Sequence, residues 1–277
     1  MKNIILLLVL FQSMLFSNFI SMNNGARSLA MGNAFVALSE NADAVFTNPA
    51  GLARNNKFNL VMSHQNLYGI SDLYNSMVAV SIPTPIFRTG IAIQQILLLN
   101  TYSEKIVYFS AASILRVKGK PVRFGGSIKL ESVSVKNYLD ADNPSNLDFD
   151  MGFLVDFTKN LYFGYSLKYI LEPEFMFISE GDKLKKKQIT GICYKWRNSV
   201  YFLSDYVNID SKSYWNLGSE IWFFNVFSAR LGMSDDRLTM GFGLKTKKWT
   251  IDCAILSHEE LGSTYRISLG ISLDVNK

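Results

Sequence analysis

Tyr265-Arg-Ile-Ser-Leu-Gly-Ile-Ser-Leu273 sets an apolar residue at every second position, with arginine, serine and glycine between. A helix would repeat its apolar residues three and four apart; a period of two is that of a strand with unlike faces. The same texture runs back along the chain. Trp249, Ile251, Cys253 and Ile255 alternate with Thr250, Asp252 and Ala254, and Leu238, Met240, Phe242 and Leu244 with Thr239, Gly241, Gly243 and Lys245. Phe149, Met151, Phe153, Val155 and Phe157 alternate with Asp148, Asp150, Gly152 and Asp156. Such runs predict strands over 57–66, 74–82, 86–98, 104–116, 121–136, 147–157, 160–171, 187–195, 199–208, 214–223, 226–234, 237–245, 248–257 and 264–273. Each is roughly ten residues, the length a tilted strand needs to cross a bilayer.

The connections alternate as well. Pro83 to Pro85, Val117 to Lys120, Thr158-Lys159, Trp196 to Asn198, Phe224-Asn225 and Thr246-Lys247 are tight. Leu67 to Leu73, Asn137 to Asn146, Glu172 to Lys186, Ile209 to Ser213 and His258 to Ser263 are mostly longer. Outer-membrane barrels have short turns at one rim and longer loops at the other, and an even strand count returns both chain ends to the short-turn rim. The apolar face carries aromatics near strand ends (Trp215, Phe223, Trp249, Tyr265). The polar face carries Gly, Ser and both signs of charge (Asp150, Asp156, Lys168, Glu220, Arg230, Asp252, Arg266). That division fits lipid outside and a lumen inside; a secreted soluble β-protein is the alternative.

The 277 residues are 48% hydrophobic and only 18% charged, below the quarter usual for soluble domains. Lys2 followed by the apolar run Ile4 to Phe16 reads as a signal peptide over 1–21, cleaved after 17 or 21, with an uncleaved anchor as the alternative. Cys193 and Cys253 sit far apart in strand-like runs and read as packing residues. Two histidines, His64 and His258, are too few for a metal site. Basic residues are scattered apart from Lys183 to Lys187, read as a solvated loop tip, so nucleic acid is not an expected partner. No nucleophile elbow, zinc motif, P-loop or dinucleotide fingerprint occurs, so neither catalysis nor a cofactor is expected. Asp150 and Asp156 share a strand face, as pore-wall charges more readily than as an acid–base pair.

One segment differs from the rest. Gly25-Ala-Arg-Ser-Leu-Ala-Met-Gly-Asn-Ala-Phe-Val-Ala-Leu38 leads into Ser39, a short turn over 41–46 that Ser39 could cap, and Asn48-Pro-Ala-Gly-Leu52, a strong turn signal. These two stretches, with the alternating tail, resemble the FadL-like outer-membrane superfamily, most closely its PorV/PorQ branch. The resemblance implies an all-β, transmembrane antiparallel barrel of about fourteen strands over 57–277, with residues 22–56 as a short hatch in its lumen. A barrel that wide is not filled by its own side chains, since about eight strands just manage it. Hatch and gating candidates are Gly25, Arg27, Asn33, Asp43, Asn48, Pro49, Ala50 and Gly51, with Arg27, Glu40 and Asp43 placed to pair with lumen charges. Phe35, Val45 and Phe46 are candidates for an apolar path. The implied function is passive transport of small hydrophobic molecules such as long-chain fatty acids across the outer membrane of a diderm bacterium. The alternative is a PorV-like docking role in type IX secretion. Expected partners are outer-membrane lipids, a hydrophobic small molecule, or secretion-system proteins.

Overall fold

The computed structural model describes residues 25–84, 86–136, 143–177, 180–257 and 262–274. The signal peptide and positions 22–24 of the hatch lie outside these residues. The chain opens with three short helical pieces: α1 (Ala26–Ala30), α2 (Ala44–Thr47) and a 3-10 turn (Pro49–Arg54). Strands follow as β1 (Phe58–Asn66), β2 (Leu73–Pro83), β3 (Arg88–Leu98), β4 (Tyr102–Val117), β5 (Lys120–Val135), β6 (Ser145–Asp156) and β7 (Leu161–Lys168). After a small hairpin, β8 (Glu174–Phe177) and β9 (Glu180–Lys183), come β10 (Lys187–Trp196), β11 (Val200–Ile209), β12 (Lys212–Phe223), β13 (Phe227–Ser234), β14 (Arg237–Lys245), β15 (Trp249–Leu256) and β16 (Thr264–Leu273).

All strands but β8 and β9 form one closed antiparallel barrel of fourteen, each paired with its neighbours in the chain. The seam joins β1 to β16, from Phe58↔Leu273 to Asn66↔Tyr265. Closure leaves no unpaired edge, which an apolar surround requires, since a backbone amide without a partner there costs several kcal/mol. The pleat sorts the side chains. On β1, Asn59, Val61, Ser63 and Gln65 are buried toward the lumen, while Met62 and His64 face out. On β16, Thr264, Arg266 and Ser268 are buried while Tyr265 and Ile267 are exposed. The aromatics Trp215, Phe223, Trp249 and Tyr265 all face outward. A wall apolar outside and polar inside inverts a soluble protein, and is what a bilayer selects.

The tight turns (118–119, 157–160, 197–199, 224–226 and 246–248) gather at one rim with the end of β2, the start of β3, the start of β1 and the end of β16. Lys118 and Gly119 both have positive φ between the paired ends Val117 and Lys120, the turn whose twist suits a two-residue hairpin. Three sequence expectations need correction. The segment 172–186 holds the β8–β9 hairpin, which pairs only with itself. Lys187 is not part of a solvated loop tip; it opens β10, directly opposite Lys168. Ser39 does not cap α2, which starts at Ala44 behind Asp43; its hydroxyl instead meets Thr47 Oγ1 at 2.7 Å and donates to Asn48 O at 3.1 Å.

Candidate functional site

The site is the lumen, and the hatch fills its middle. What lets it seat there is a set of inward-facing glycines, paired across adjacent strands: Gly125↔Gly152, Gly164↔Gly191 and Gly218↔Gly232. Each pair leaves a bare strip of wall against which hatch backbone lies. A Cβ on Gly164 would stand 2.5 Å from Val36 O and 2.7 Å from Ala37 Cα. One on Gly125 would stand 2.6 Å from Pro49 O, one on Gly232 2.8 Å from Met31 Cα, and one on Gly241 2.6 Å from the Ala30 Cβ. Ordinary carbon contacts are 3.5–4.0 Å, so a side chain at these positions excludes the hatch. Within the hatch, Gly32 has φ +64 and Asn33 φ +61. That left-handed pair ends α1 against the wall, where the Gly32 amide donates to Thr239 Oγ1 at 2.9 Å.

Polar bonds then pin the seated backbone. Asn48 is fully buried. Its Nδ2 donates to Val36 O at 3.1 Å, Phe153 O at 3.2 Å and Tyr165 O at 3.3 Å, and its Oδ1 accepts from the Ala50 amide at 3.1 Å. One side chain therefore ties two hatch segments to the cross-strand pair Phe153 and Tyr165. Pro49, the first residue of the 3-10 turn, has no amide to satisfy there. Gly51 lies against Ser39, and Gly25, which caps α1, against the Asp43 carboxylate. Asp205 reaches in from β11 and accepts from the Phe35 and Val36 amides at 2.8 and 2.9 Å.

Charges do the rest. Arg27 forks onto Glu220 through Nε at 2.9 Å and Nη2 at 2.8 Å, and reaches Glu40 with Nη1 at 2.5 Å. Glu220 also accepts from Arg230 at 2.7 Å, and Arg230 continues to Asp252 at 2.7 Å. Arg54 and Arg123 share Asp156 at 3.0 and 2.8 Å. Asp150 joins Asp148 and Glu131 around the buried Lys129, at 2.9, 2.7 and 3.1 Å, with the Tyr169 ring 3.7 Å over the same ammonium. Asp150 and Asp156 thus serve two separate ion-pair groups. Asp43 differs: burial, then the Asp252 carboxylate nearby, pushes its carboxyl up to about 7.

The apolar candidates divide between two packed groups. Phe35 packs with Met31, Leu38, Cys193 and Leu203. Val45 and Phe46 pack with Leu52, Met77 and Tyr108, the Phe46 and Tyr108 rings meeting edge-on at 5.4 Å. The second group extends upward to Phe175 within β8 and Leu184 just after β9. These side chains do not line one shared route. Open space lies instead on either side of the hatch. At the tight-turn rim a cavity of about 360 Å³ is bounded by Glu40, Arg54, Arg123, Asp156 and Tyr162. At the loop rim a smaller one of about 60 Å³ is bounded by Asn33, Lys168, Lys187, Asp205 and Arg237. Sequence reading passed over the paired glycines as polar-face filler. The signal that would have found them is glycine at the inward phase of consecutive strands, once hairpin register aligns them.

The fold, a closed barrel of fourteen strands with a seated N-terminal segment, has neighbours among solved structures. The toluene transporter TodX of P. putida superposes with a TM-score of 0.64 at 11% identity, covering 93% of this chain and 100% of that one. A Pseudomonas aeruginosa FadL homologue gives 0.58 at 10% identity, covering 91% and 98%. At such identities the likeness is one of fold. No family model and no curated protein matches the chain.

Proposed function

We propose that the protein lies in the outer membrane of a diderm bacterium and gives small hydrophobic molecules, long-chain fatty acids among them, a passive route across it. The observation that carries this reading is the seated hatch. A barrel of this width would leak solutes without an internal segment, and one held by separable polar contacts to the wall can both close the lumen and be displaced to open it. The apolar outer face supports the membrane setting, and the neighbours of like fold are a toluene transporter and a FadL homologue. No feature of the barrel favours docking in a secretion assembly, the PorV/PorQ reading, over transport. Nor do the ion-paired carboxylates favour an enzyme.

The test is entry of radiolabelled oleate into vesicles whose outer leaflet is lipopolysaccharide, which slows spontaneous partition. Protein-containing vesicles are expected to load faster than empty ones, with Asn48→Ala/Pro49→Ala altering the rate. Loading no faster than in empty vesicles, with folded protein present, would remove the transport reading.

A further inference from the structure

The two rims of the barrel carry charge differently. Lys118, Lys159, Arg197, Lys247 and Lys248 stand exposed in four of the tight turns. Arg116 and Lys120 flank the first of these turns and Lys245 precedes the last, exposed as well. Among the described residues, the carboxylates at that end pair within the protein: Asp274 with Lys57 at 2.9 Å, Asp156 with Arg54 and Arg123, and Glu40 with Arg27. The opposite rim mixes signs, with Asp72, Asp210, Asp235 and Asp236 exposed in its connections alongside Lys185 and Lys186. The formal net charge of +5 therefore gathers at the tight-turn rim. Aromatic rings share the same turns. Phe157 and Trp249 are exposed close to Lys159 and Lys248, and Trp196 is exposed with the Arg197 guanidinium 4.8 Å from its ring centroid. Phe224, in the turn between β12 and β13, is 95% exposed. A ring so bare is costly in water, and rings interleaved with cations are the composition of a wall at the level of lipid headgroups.

We propose that the tight-turn rim binds anionic phospholipids of the periplasmic leaflet, its turn cations holding lipid phosphates while the neighbouring rings insert among the upper acyl carbons. Tight turns of outer-membrane barrels face the periplasm, where the leaflet is phospholipid. Charge complementarity fixes the sign of the occupant. The unbroken run from apolar wall through rings to cations fixes its kind, because a lipid offers phosphate directly above an apolar layer and a soluble acidic protein does not. Lysine and arginine stems can lie along the apolar belt and leave their charged ends among the headgroups. Each such cation near an anionic bilayer surface favours it about fivefold. The lumen takes no part in this contact. The inference goes beyond transport and rests only on the membrane setting of the barrel.

The experiment reconstitutes the full protein in phosphatidylcholine bilayers doped with spin-labelled phosphatidylglycerol or spin-labelled phosphatidylcholine, and reads the motionally restricted fraction of each. The parent at low salt is expected to prefer phosphatidylglycerol about fivefold. Raising the salt to 1 M, where the screening length falls to about 3 Å, should remove most of that preference. The variant Lys118→Gln/Lys120→Gln/Lys247→Gln/Lys248→Gln should bring it close to one. The matched variant Lys136→Gln/Lys185→Gln/Lys186→Gln/Lys212→Gln, which removes as many charges from the loop rim, should keep it. All eight side chains are exposed, and folding of each variant is checked by thermal melt. Equal restriction of the two lipids by the parent would overturn the lipid site and leave the rim's charge to a soluble acidic partner. A preference that survives the tight-turn substitutions, or falls equally with the loop-rim ones, would also overturn it. Restriction of neither lipid, with folded protein present, would remove the membrane setting itself.

Discussion

Gly164→Ala puts one methyl where the hatch backbone now lies. The new Cβ would stand 2.5 Å from Val36 O and 2.7 Å from both Val36 C and Ala37 Cα, all main-chain atoms that no rotamer change can move. Relief needs the hatch to lift by roughly 1 Å. The bonds from the Phe35 and Val36 amides to Asp205, now 2.8 and 2.9 Å, would then leave the usual range of about 2.7–3.2 Å. Overpacking of this kind costs about 1–3 kcal/mol. Local opening of the hatch should therefore become about 5- to 150-fold more frequent, at a factor of ten per 1.4 kcal/mol. Hydrogen exchange read by mass spectrometry should show that acceleration over 33–39, with little change in the strands away from β7. Gly126→Ala is the matched control. Its nearest atom, Asp150 O, is 3.7 Å away, so it should leave the hatch as in the parent. Unchanged exchange over 33–39 in Gly164→Ala would refute the claim that bare strips of wall seat the hatch.

Three further outcomes are expected. Asn48→Ala strips a fully buried group of four hydrogen bonds and should cost about 2–4 kcal/mol in thermal unfolding; Asn48→Asp should cost more, because a carboxylate cannot donate to three carbonyls. Equal losses in the two would show that Asn48 acts by shape alone. Glu220→Ala leaves Arg27 and Arg230 without their shared carboxylate and should cost about 3–5 kcal/mol, whereas Glu40→Ala, at the more exposed end, should cost about 1 kcal/mol or less; similar melting shifts would contradict the ranking. For Asp43, the folded carboxyl titrates near 7 against about 3.9 in the unfolded chain, so the fold holds its proton more tightly. The stability this contributes is complete below about pH 4 and is lost as pH rises through about 7. Asp43→Asn, neutral throughout, should match the parent at pH 4 and melt higher above pH 7, and a gap that does not change with pH would count against it.

The wall was legible because two requirements act on every residue of it. Lipid outside and a hydrated lumen inside force a period of two, so runs such as 237–245 and 264–273 fall where the strands do. The β8–β9 hairpin escaped because it pairs only with itself, off the barrel wall, where no bilayer imposes alternation. Arg27 and Glu40 could be read as tethers, since buried charge needs a partner, but Glu220 could not be picked from the lumen carboxylates without register. Asn48 looked like a turn residue and is one; its bonds to Phe153 and Tyr165 depend on which strand passes behind it. Lys187 was misread for the same reason. In sequence it ends a basic run, and only the pairing with Lys168 turns it inward.

The hatch comes first in the chain, while the seam that closes the wall needs the last strand, pairing Phe58–Asn66 with residues some two hundred positions later. Glycines against the hatch occur on β5, β6, β7, β10, β12, β13 and β14, half of the fourteen strands. The small N-terminal segment thus acts as a mandrel: successive hairpins can wrap onto it before closure, and it sets the bore they close around. Long-range pairing of this kind makes folding slow. A chain lacking the hatch should still contain fourteen strands' worth of sequence, but its refolding should lag and its barrels should vary in girth.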